Sequence, residues 1–148
     1  MKRNVSIVTE SWPSIIPFRI ANRVWDDFPC VICEIVQDGR TGRGEALGVS
    51  YLGETTASMA LQLEEISGAL AGGAGRGELF DLLPPGGARC AADSALWDIE
   101  AQLSGISAWK TAGVTAAPVE TVFTIGLEDS PEEMAAKVTA AADLSLFR

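Results

Sequence analysis

The chain has 148 residues, of which 47% are hydrophobic and 21% charged, and its net charge is −9. That length suits one domain that buries roughly 70% of the surface its unfolded form exposes. The acidic balance, without any run of Lys or Arg, lacks the phosphate attraction behind most nucleic-acid affinity. We therefore expect neither a nucleic acid nor an anionic membrane as a partner.

The sequence shows no membrane helix or signal peptide and contains no histidine. No segment approaches the ~20 apolar residues of a membrane helix, and the N-terminus lacks the apolar stretch of a signal peptide, so we expect a cytoplasmic protein. Histidine is missing, which removes His-based triads and His-ligated zinc from this stretch. Cys30 and Cys33 have CxxC spacing, but positions three apart in a strand face opposite ways, so we interpret them as buried thiols.

The first third of the chain predicts a small antiparallel sheet. Residues 4–12 have the β-rich composition of a strand, and the two prolines that follow predict an irregular passage. Residues 17–29 have neither helical nor strand periodicity, so we expect a long loop there. Residues 30–46 are typical of a hairpin, with Asp38-Gly39 at a tight primed turn. Together these segments predict a three-stranded antiparallel sheet covered by helices.

Two amphipathic helices are predicted next, at residues 55–70 and 89–104. The residues expected to face inward are Met59, Leu63, Ile66 and Leu70 in the first helix and Ala92, Ala95, Leu96, Ile99 and Leu103 in the second. The small alanines permit close approach to another element, and Gly105 is expected to cap the second helix. Residues 71–88 contain GGAGRG, which fits neither common phosphate-binding motif, so we interpret them as a flexible connector.

Acidic residues on the second helix raise the question of a metal site. Asp93 and Asp98 are five residues apart, which turns them away from one another on a helix. Glu100 is the third acidic residue of this helix, and no further ligand is apparent. We interpret them as solvated helix charge and predict no metal ligand in this chain.

Residues 118–148 predict a change to alternating β and α structure. Apolar residues at 122, 123, 125 and 127 predict a strand of the kind buried in a parallel sheet, and another apolar run begins at Leu144. Between them, Ser130-Pro131-Glu132-Glu133 is a capping box that predicts a helix to about Ala142, with Met134 and Val138 facing inward. A βαβ unit buries neither strand until both are side by side, so we expect this chain to be the front part of a larger enzyme.

Five motifs, taken in order, carry a family resemblance. They are Pro17-Phe18-Arg19-Ile20-Ala21, Gly42-Arg43-Gly44-Glu45-Ala46, Gly53-Glu54-Thr55, Ala95-Leu96-Trp97-Asp98, and Phe123-Thr124-Ile125-Gly126 before Ser130-Pro131-Glu132-Glu133-Met134. Over nearly the whole chain they resemble the enolase superfamily, of the mandelate racemase/muconate lactonizing enzyme type, and within it the dipeptide epimerases. The resemblance implies an α+β fold. Residues 1–117 would be the N-terminal capping domain, a three-stranded antiparallel sheet with a helical bundle, and residues 118–148 the first βα unit of a truncated (β/α) barrel.

The same resemblance implies an isomerase that interconverts dipeptides such as L-Ala-D-Glu and L-Ala-L-Glu. In that family Mg²⁺ stabilises the enediolate formed when the proton next to the substrate carboxylate is removed, and a lysine on each face takes and returns the proton. The metal ligands would lie beyond residue 148, so we expect the chain alone to be inactive. Arg148 aligns with the first catalytic lysine of a Lys-x-Lys motif, where an arginine keeps the charge but rarely deprotonates.

Three substrate-binding residues follow from the resemblance. Arg23, in the predicted 17–29 loop, matches a family arginine that reaches the substrate, and an arginine in a closing loop can pair bidentately with a carboxylate. Thr124 matches a threonine at the end of the first barrel strand, where barrel enzymes place ligand-binding groups. Tyr51 is expected to line the same pocket. The simpler interpretations are a solvated loop arginine and a strand threonine satisfied by backbone.

Two other interpretations stay open. One keeps the superfamily and changes the chemistry to that of a muconate-type cycloisomerase or a succinylbenzoate-type synthase. The other takes the chain as a non-catalytic module that self-associates or docks on another chain through exposed strand edges and uncovered apolar surface. The expected partners are accordingly a small dipeptide substrate and, as a homo-oligomer, further copies of the protein.

Overall fold

The structure, a computed structural model, describes residues 3–21, 23–119 and 121–142. Contacts divide these residues into two compact units. The first lies within Met1–Trp12 and Pro29–Thr115, and the second within Pro13–Phe28 and Ala116–Arg148. The domain boundary expected at residue 118 stays a prediction.

Three strands form one sheet in the order β1-β2-β3, where β1 spans Asn4–Ile20, β2 spans Arg23–Gln37 and β3 spans Arg40–Ala46. β2 and β3 pair antiparallel, with Val31 opposite Ala46. At their turn, Asp38 and Gly39 have φ of 50° and 74°, and a type I′ turn needs positive φ at both central residues. The predicted sheet and its hairpin are confirmed.

The first two strands are longer than the sequence predicted. The prediction of a loop over residues 17–29 was wrong: β1 continues through Pro13 and Pro17 to Ile20, and β2 already begins at Arg23. β1 is an edge strand of the sheet, and edge strands tolerate proline because half of their N–H groups face no partner strand. The segment is therefore the tip of a β-hairpin.

The first unit also contains a short 3₁₀ turn at Ser50–Leu52 and four helices, α1 at Thr56–Ala71, α2 at Arg76–Leu82, α3 at Gly87–Ser104 and α4 at Ala108–Thr111. α1 begins with a reciprocal cap, because the side chains of Thr55 and Ser58 each accept the other's backbone N–H. Gly105, with φ of 68°, ends α3 as predicted. In the described part of the chain, no helix has the length and apolarity needed to cross a membrane.

The short helix α2 corrects the prediction of a flexible connector over residues 71–88. Seven residues span only two turns, too few for a helical period to stand out among glycines and prolines. The helix begins where the Glu78 carboxylate accepts the N–H of Gly75 at 3.0 Å. Leu79 and Leu83 anchor its apolar side in the core.

The core of the first unit lies between β2, β3 and the helices. The inward-facing residues predicted for α1 and α3 are buried, except Leu103, which is 39% exposed. Two glycines let α3 lie directly on β3: a Cβ on Gly42 would be 2.4 Å from the Ala95 carbonyl oxygen, and one on Gly44 would be 2.0 Å from that of Ala91. The alanine side chains of α3 thus permit its close approach to β3, as the sequence predicted.

In the second unit, α5 spans Pro131–Ala142, and Ser130 Oγ accepts the Glu133 N–H at 3.2 Å as the predicted cap. The strand predicted before it is not formed in the described residues, where Val122 is 85% exposed. A strand needs backbone pairing along its length, whereas the described contact with β1 lies at the end of this segment, where the Leu127 N–H donates to the Arg19 carbonyl oxygen. Met134 is half-buried, whereas Val138 is exposed, against the prediction. The apolar run from Leu144 lies outside the described residues.

Candidate functional site

The hairpin tip, meaning the described residues of Pro13–Phe28, holds Arg23 against an aromatic pair. Arg23 and Trp25 are two apart on β2 and so share one face of the strand. The Arg23 guanidinium carbon is 4.7 Å from the centroid of the Trp25 ring, which is within cation–π range. The Phe18 ring of β1 lies 5.9 Å from that of Trp25, tilted by 39°.

A second set of contacts ties the hairpin tip to the segment before α5. The Leu127 N–H donates to the Arg19 carbonyl oxygen at 2.8 Å, and the Arg19 guanidinium donates to the Asp129 carboxylate at 2.6 Å. Gly126 permits this approach, because a Cβ there would be 3.3 Å from both the backbone N and O of Arg19. The two segments of the second unit are thus held together by backbone and side-chain contacts.

A cavity of about 390 Å³ lies within the second unit, between the hairpin tip, the segment before α5 and α5 itself. Its lining residues are Ile16, Pro17, Phe18, Phe123, Thr124, Ile125, Gly126, Glu128, Lys137, Ala140 and Ala141. The lining is mostly apolar, and an ion pair between Glu128 and Lys137 forms its charged part. A concave apolar surface with few polar groups is the usual form of a small-molecule site.

The structure brings two of the four predicted site residues into one unit. Thr124 lines the cavity, and Phe18, which lines it too, contacts the Trp25 ring on which Arg23 stacks. Tyr51 belongs to the first unit, where it is 88% exposed in the 3₁₀ turn. Arg148 lies outside the described residues. The roles of all four residues stay predictions.

In the first unit, Glu54 fixes the loop between β3 and α1. Its carboxylate accepts the N–H of Val49 at 2.8 Å with one oxygen and that of Gly87 at 2.7 Å with the other. These two hydrogen bonds hold the pKa of Glu54 below its usual value, because both stabilise the charged form. The loop that carries Tyr51 is therefore fastened to the start of α3.

Sequence reasoning missed the parts that Trp25 and Glu54 play. The signal for Trp25 is the Arg-x-Trp spacing, which places two side chains on one face only if the segment is a strand. Because the segment was interpreted as a loop, that spacing carried no meaning. Glu54 had one weak signal, its place directly before the N-cap Thr55, and its partner Gly87 is distant in sequence.

The described residues offer no metal centre and no redox pair. No group of three or more Cys, Asp or Glu side chains in this part of the chain could hold a metal ion. Cys30 and Cys33 are free and buried, as interpreted from their spacing. Burial raises the pKa of the Cys33 thiol to about 11, which disfavours the reactive thiolate near neutral pH.

Residues 2–113 match the family described as "Mandelate racemase / muconate lactonizing enzyme, N-terminal domain". That match covers most of the chain, and the three-stranded sheet with its helices agrees with it. The chain belongs to this family. The resemblance to the enolase superfamily inferred from the motifs is confirmed.

Known relatives place the chain near the dipeptide epimerases. It is 35% identical over 135 residues to the L-Ala-D/L-Glu epimerase of Escherichia coli K12, a match that covers 90% of this chain and 41% of that protein. Its fold matches an enolase family member from Agrobacterium tumefaciens with homology to dipeptide epimerases, solved with sodium and L-Ala-L-Glu, at a TM-score of 0.87 and 35% identity over 95% of this chain and 43% of the other.

A further match is the dipeptide epimerase of Methylococcus capsulatus, solved with Mg and the dipeptide L-Arg-D-Lys. The TM-score is 0.80 and the identity 29%, over 96% of this chain and 43% of that protein. The chain thus spans about two fifths of the length of these relatives.

Proposed function

We propose that this chain is the substrate-recognition part of a Mg²⁺-dependent isomerase that epimerises dipeptides of the L-Ala-D/L-Glu type. The observation that carries the proposal is the second unit, in which Thr124 lines an apolar cavity and Arg23 is linked to that cavity through Trp25 and Phe18. Family membership and dipeptide-binding relatives support the same function.

The role proposed for this chain is recognition. Arg23 pairs with a substrate carboxylate through parallel N–H donors, and the aromatic hairpin tip keeps water from that ion pair, which strengthens it. Thr124 presents a hydroxyl to the cavity. From the family resemblance, we propose that the Mg²⁺ ligands and most of the proton-transferring groups lie beyond residue 148 in the complete enzyme. The roles of Arg148, as the residue at the position of the first catalytic lysine, and of Tyr51, as a residue lining the substrate pocket, are further parts of the proposal.

The test is an assay of the complete enzyme in D₂O with Mg²⁺ and a panel of dipeptides. We expect exchange of the Cα proton of the C-terminal residue and the appearance of the second diastereomer in the ¹H NMR spectrum. Conversion of a muconate or a succinylbenzoate precursor instead would favour the alternative chemistries. Absence of turnover on every substrate would contradict the proposal, and so would turnover by the 148-residue chain alone.

The predictions of a homo-oligomer and of a cytoplasmic location stay predictions. Exposed apolar residues in the second unit, including Ile15, Val122 and Phe123, support association through this surface. Sedimentation of the 148-residue chain tests this association. A non-catalytic self-associating module would form discrete oligomers, and a charged substitution at Val122 would convert them to monomers.

A further inference from the structure

We propose that Trp25 is a positioning residue that presents the Arg23 guanidinium to a carboxylate of the substrate. This inference rests on the proposed function. Nothing in the family motifs points to Trp25, and its side chain carries no group that could take part in proton transfer. Its contribution would be to hold Arg23 in one orientation before the substrate arrives.

The contacts at the hairpin tip support this role. Arg23 and Trp25 occupy the same strand face, and the guanidinium carbon is 4.7 Å from the ring centroid. The N–H donors of a guanidinium lie in the plane of the group, where they can meet the two oxygens of a carboxylate. The contact of the guanidinium carbon with the ring restricts the orientation of this side chain.

The Trp25 ring is itself held in place. It is partly buried, and Phe18 packs against it with ring centroids 5.9 Å apart. Phe18 also lines the cavity that contains Thr124. A fixed ring limits the rotamers that Arg23 must lose on binding, and that loss costs affinity for long side chains.

The experiment is a double-mutant cycle in the complete enzyme, with Trp25→Leu, Arg23→Ala and both together. We expect Trp25→Leu to raise KM for L-Ala-L-Glu about two- to fivefold, the range of an exposed cation–π contact, with kcat changed less than twofold. Trp25→Phe keeps an aromatic face and should restore most of the loss. In the Arg23→Ala background, Trp25→Leu should add nothing further.

A matched control variant and a second substrate make the test more specific. Trp109 in α4 is 43% exposed and also lies beside a cation, with Lys110 Nζ 5.3 Å from its ring, so Trp109→Leu should leave KM unchanged. Repeating the cycle with L-Ala-L-Gln distinguishes the carboxylates. An effect confined to L-Ala-L-Glu assigns Arg23 to the side-chain carboxylate, and an equal effect on both assigns it to the main-chain one.

The outcomes of this experiment test separately the positioning role of Trp25, the role of Arg23 and the proposed function. If Arg23→Ala weakens substrate use and Trp25→Leu is additive with it, or Trp25→Phe fails to restore KM, the positioning role is wrong while the proposed function stands. If Arg23→Ala has no effect, the role of Arg23 and this inference both fail. If the wild-type enzyme turns over no dipeptide, the proposed function fails and the inference fails with it.

Discussion

Glu54 accepts a hydrogen bond at 2.7 Å from the N–H of Gly87, the first residue of α3, while its other carboxylate oxygen holds the Val49 N–H. One side chain thereby fastens the loop after β3 to a helix that begins 33 residues later. Because the first N–H groups of a helix have no partner within the helix, a carboxylate at this place satisfies one of them.

We expect Glu54→Gln to destabilise the chain by about 1 kcal/mol, because glutamine offers one acceptor oxygen for two N–H donors. Thermal unfolding followed by circular dichroism at pH 7 measures this as a Tm lowered by a few degrees. Glu65, exposed on α1, is the control, and Glu65→Gln should leave Tm unchanged. Equal Tm values for the wild type and Glu54→Gln would show that the two hydrogen bonds do not stabilise the fold.

The lowered pKa of Glu54 makes this contribution depend on pH. A carboxylate whose pKa is lower in the folded state stabilises the fold above the unfolded value of about 4.3, and the stabilisation is lost as pH falls through the folded pKa. The Tm difference between the wild type and Glu54→Gln should therefore be largest near neutral pH and shrink in acid. A difference that grows below pH 4 would have the wrong sign.

Two glycines in different packing environments, Gly44 against α3 and Gly68 at an open position of α1, should respond in opposite ways to substitution by alanine. Gly44→Ala places a Cβ 2.0 Å from the Ala91 carbonyl oxygen, so α3 must shift, and we expect a loss of about 3 kcal/mol or more. Gly68→Ala, within α1, meets nothing within 4 Å and should stabilise the chain by about 0.5–1 kcal/mol. Urea unfolding of both variants is the measurement. A Gly44→Ala variant as stable as the wild type would rule out the direct packing of α3 on β3.

Thiol reactivity distinguishes the buried cysteines from the exposed one. Cys90 is exposed, whereas Cys30 and Cys33 are buried, and burial raises the pKa of the Cys33 thiol. At pH 7.5, iodoacetamide should modify Cys90 first and the other two only on unfolding, as mapped by peptide mass spectrometry. Rapid modification of Cys33 in the folded chain, or isolation of a Cys30–Cys33 disulfide, would contradict this.

Local patterns in the sequence predicted the elements whose cause is local. The apolar period of α1, the Asp38-Gly39 turn and the Gly105 cap depend on residues within a few positions of each other, and all three were confirmed. The alanine stripe of α3 also predicted close packing. Its partner, the Gly42 and Gly44 pair of β3, followed only from the structure.

Features that depend on distant partners were missed or misinterpreted. Residues 17–29 were predicted as a loop because they lack helical and strand periodicity, and the prolines after residue 12 predicted an irregular passage. The position of β1 at the sheet edge explains why the strand continues through those prolines. The segment around Val122 was predicted as a buried strand from its apolar residues, but burial also requires a neighbouring strand. Arg23 was identified as a candidate site residue from the family resemblance, whereas its contact with the Trp25 ring was found only in the structure.

The kinetics of Arg23→Ala in the complete enzyme test the central claim most directly, which is that this chain supplies the carboxylate-recognising arginine of a dipeptide epimerase. A lost charge-assisted hydrogen bond costs about 1.5–3 kcal/mol, so we expect kcat/KM for L-Ala-L-Glu to fall about ten- to hundredfold. Arg23→Lys should recover part of it, because lysine keeps the charge without the bidentate geometry. Arg40→Ala, at an exposed position of β3, is the matched control and should behave as the wild type. The account predicts a selective loss with Arg23→Ala, and unchanged kcat/KM in that variant would contradict it.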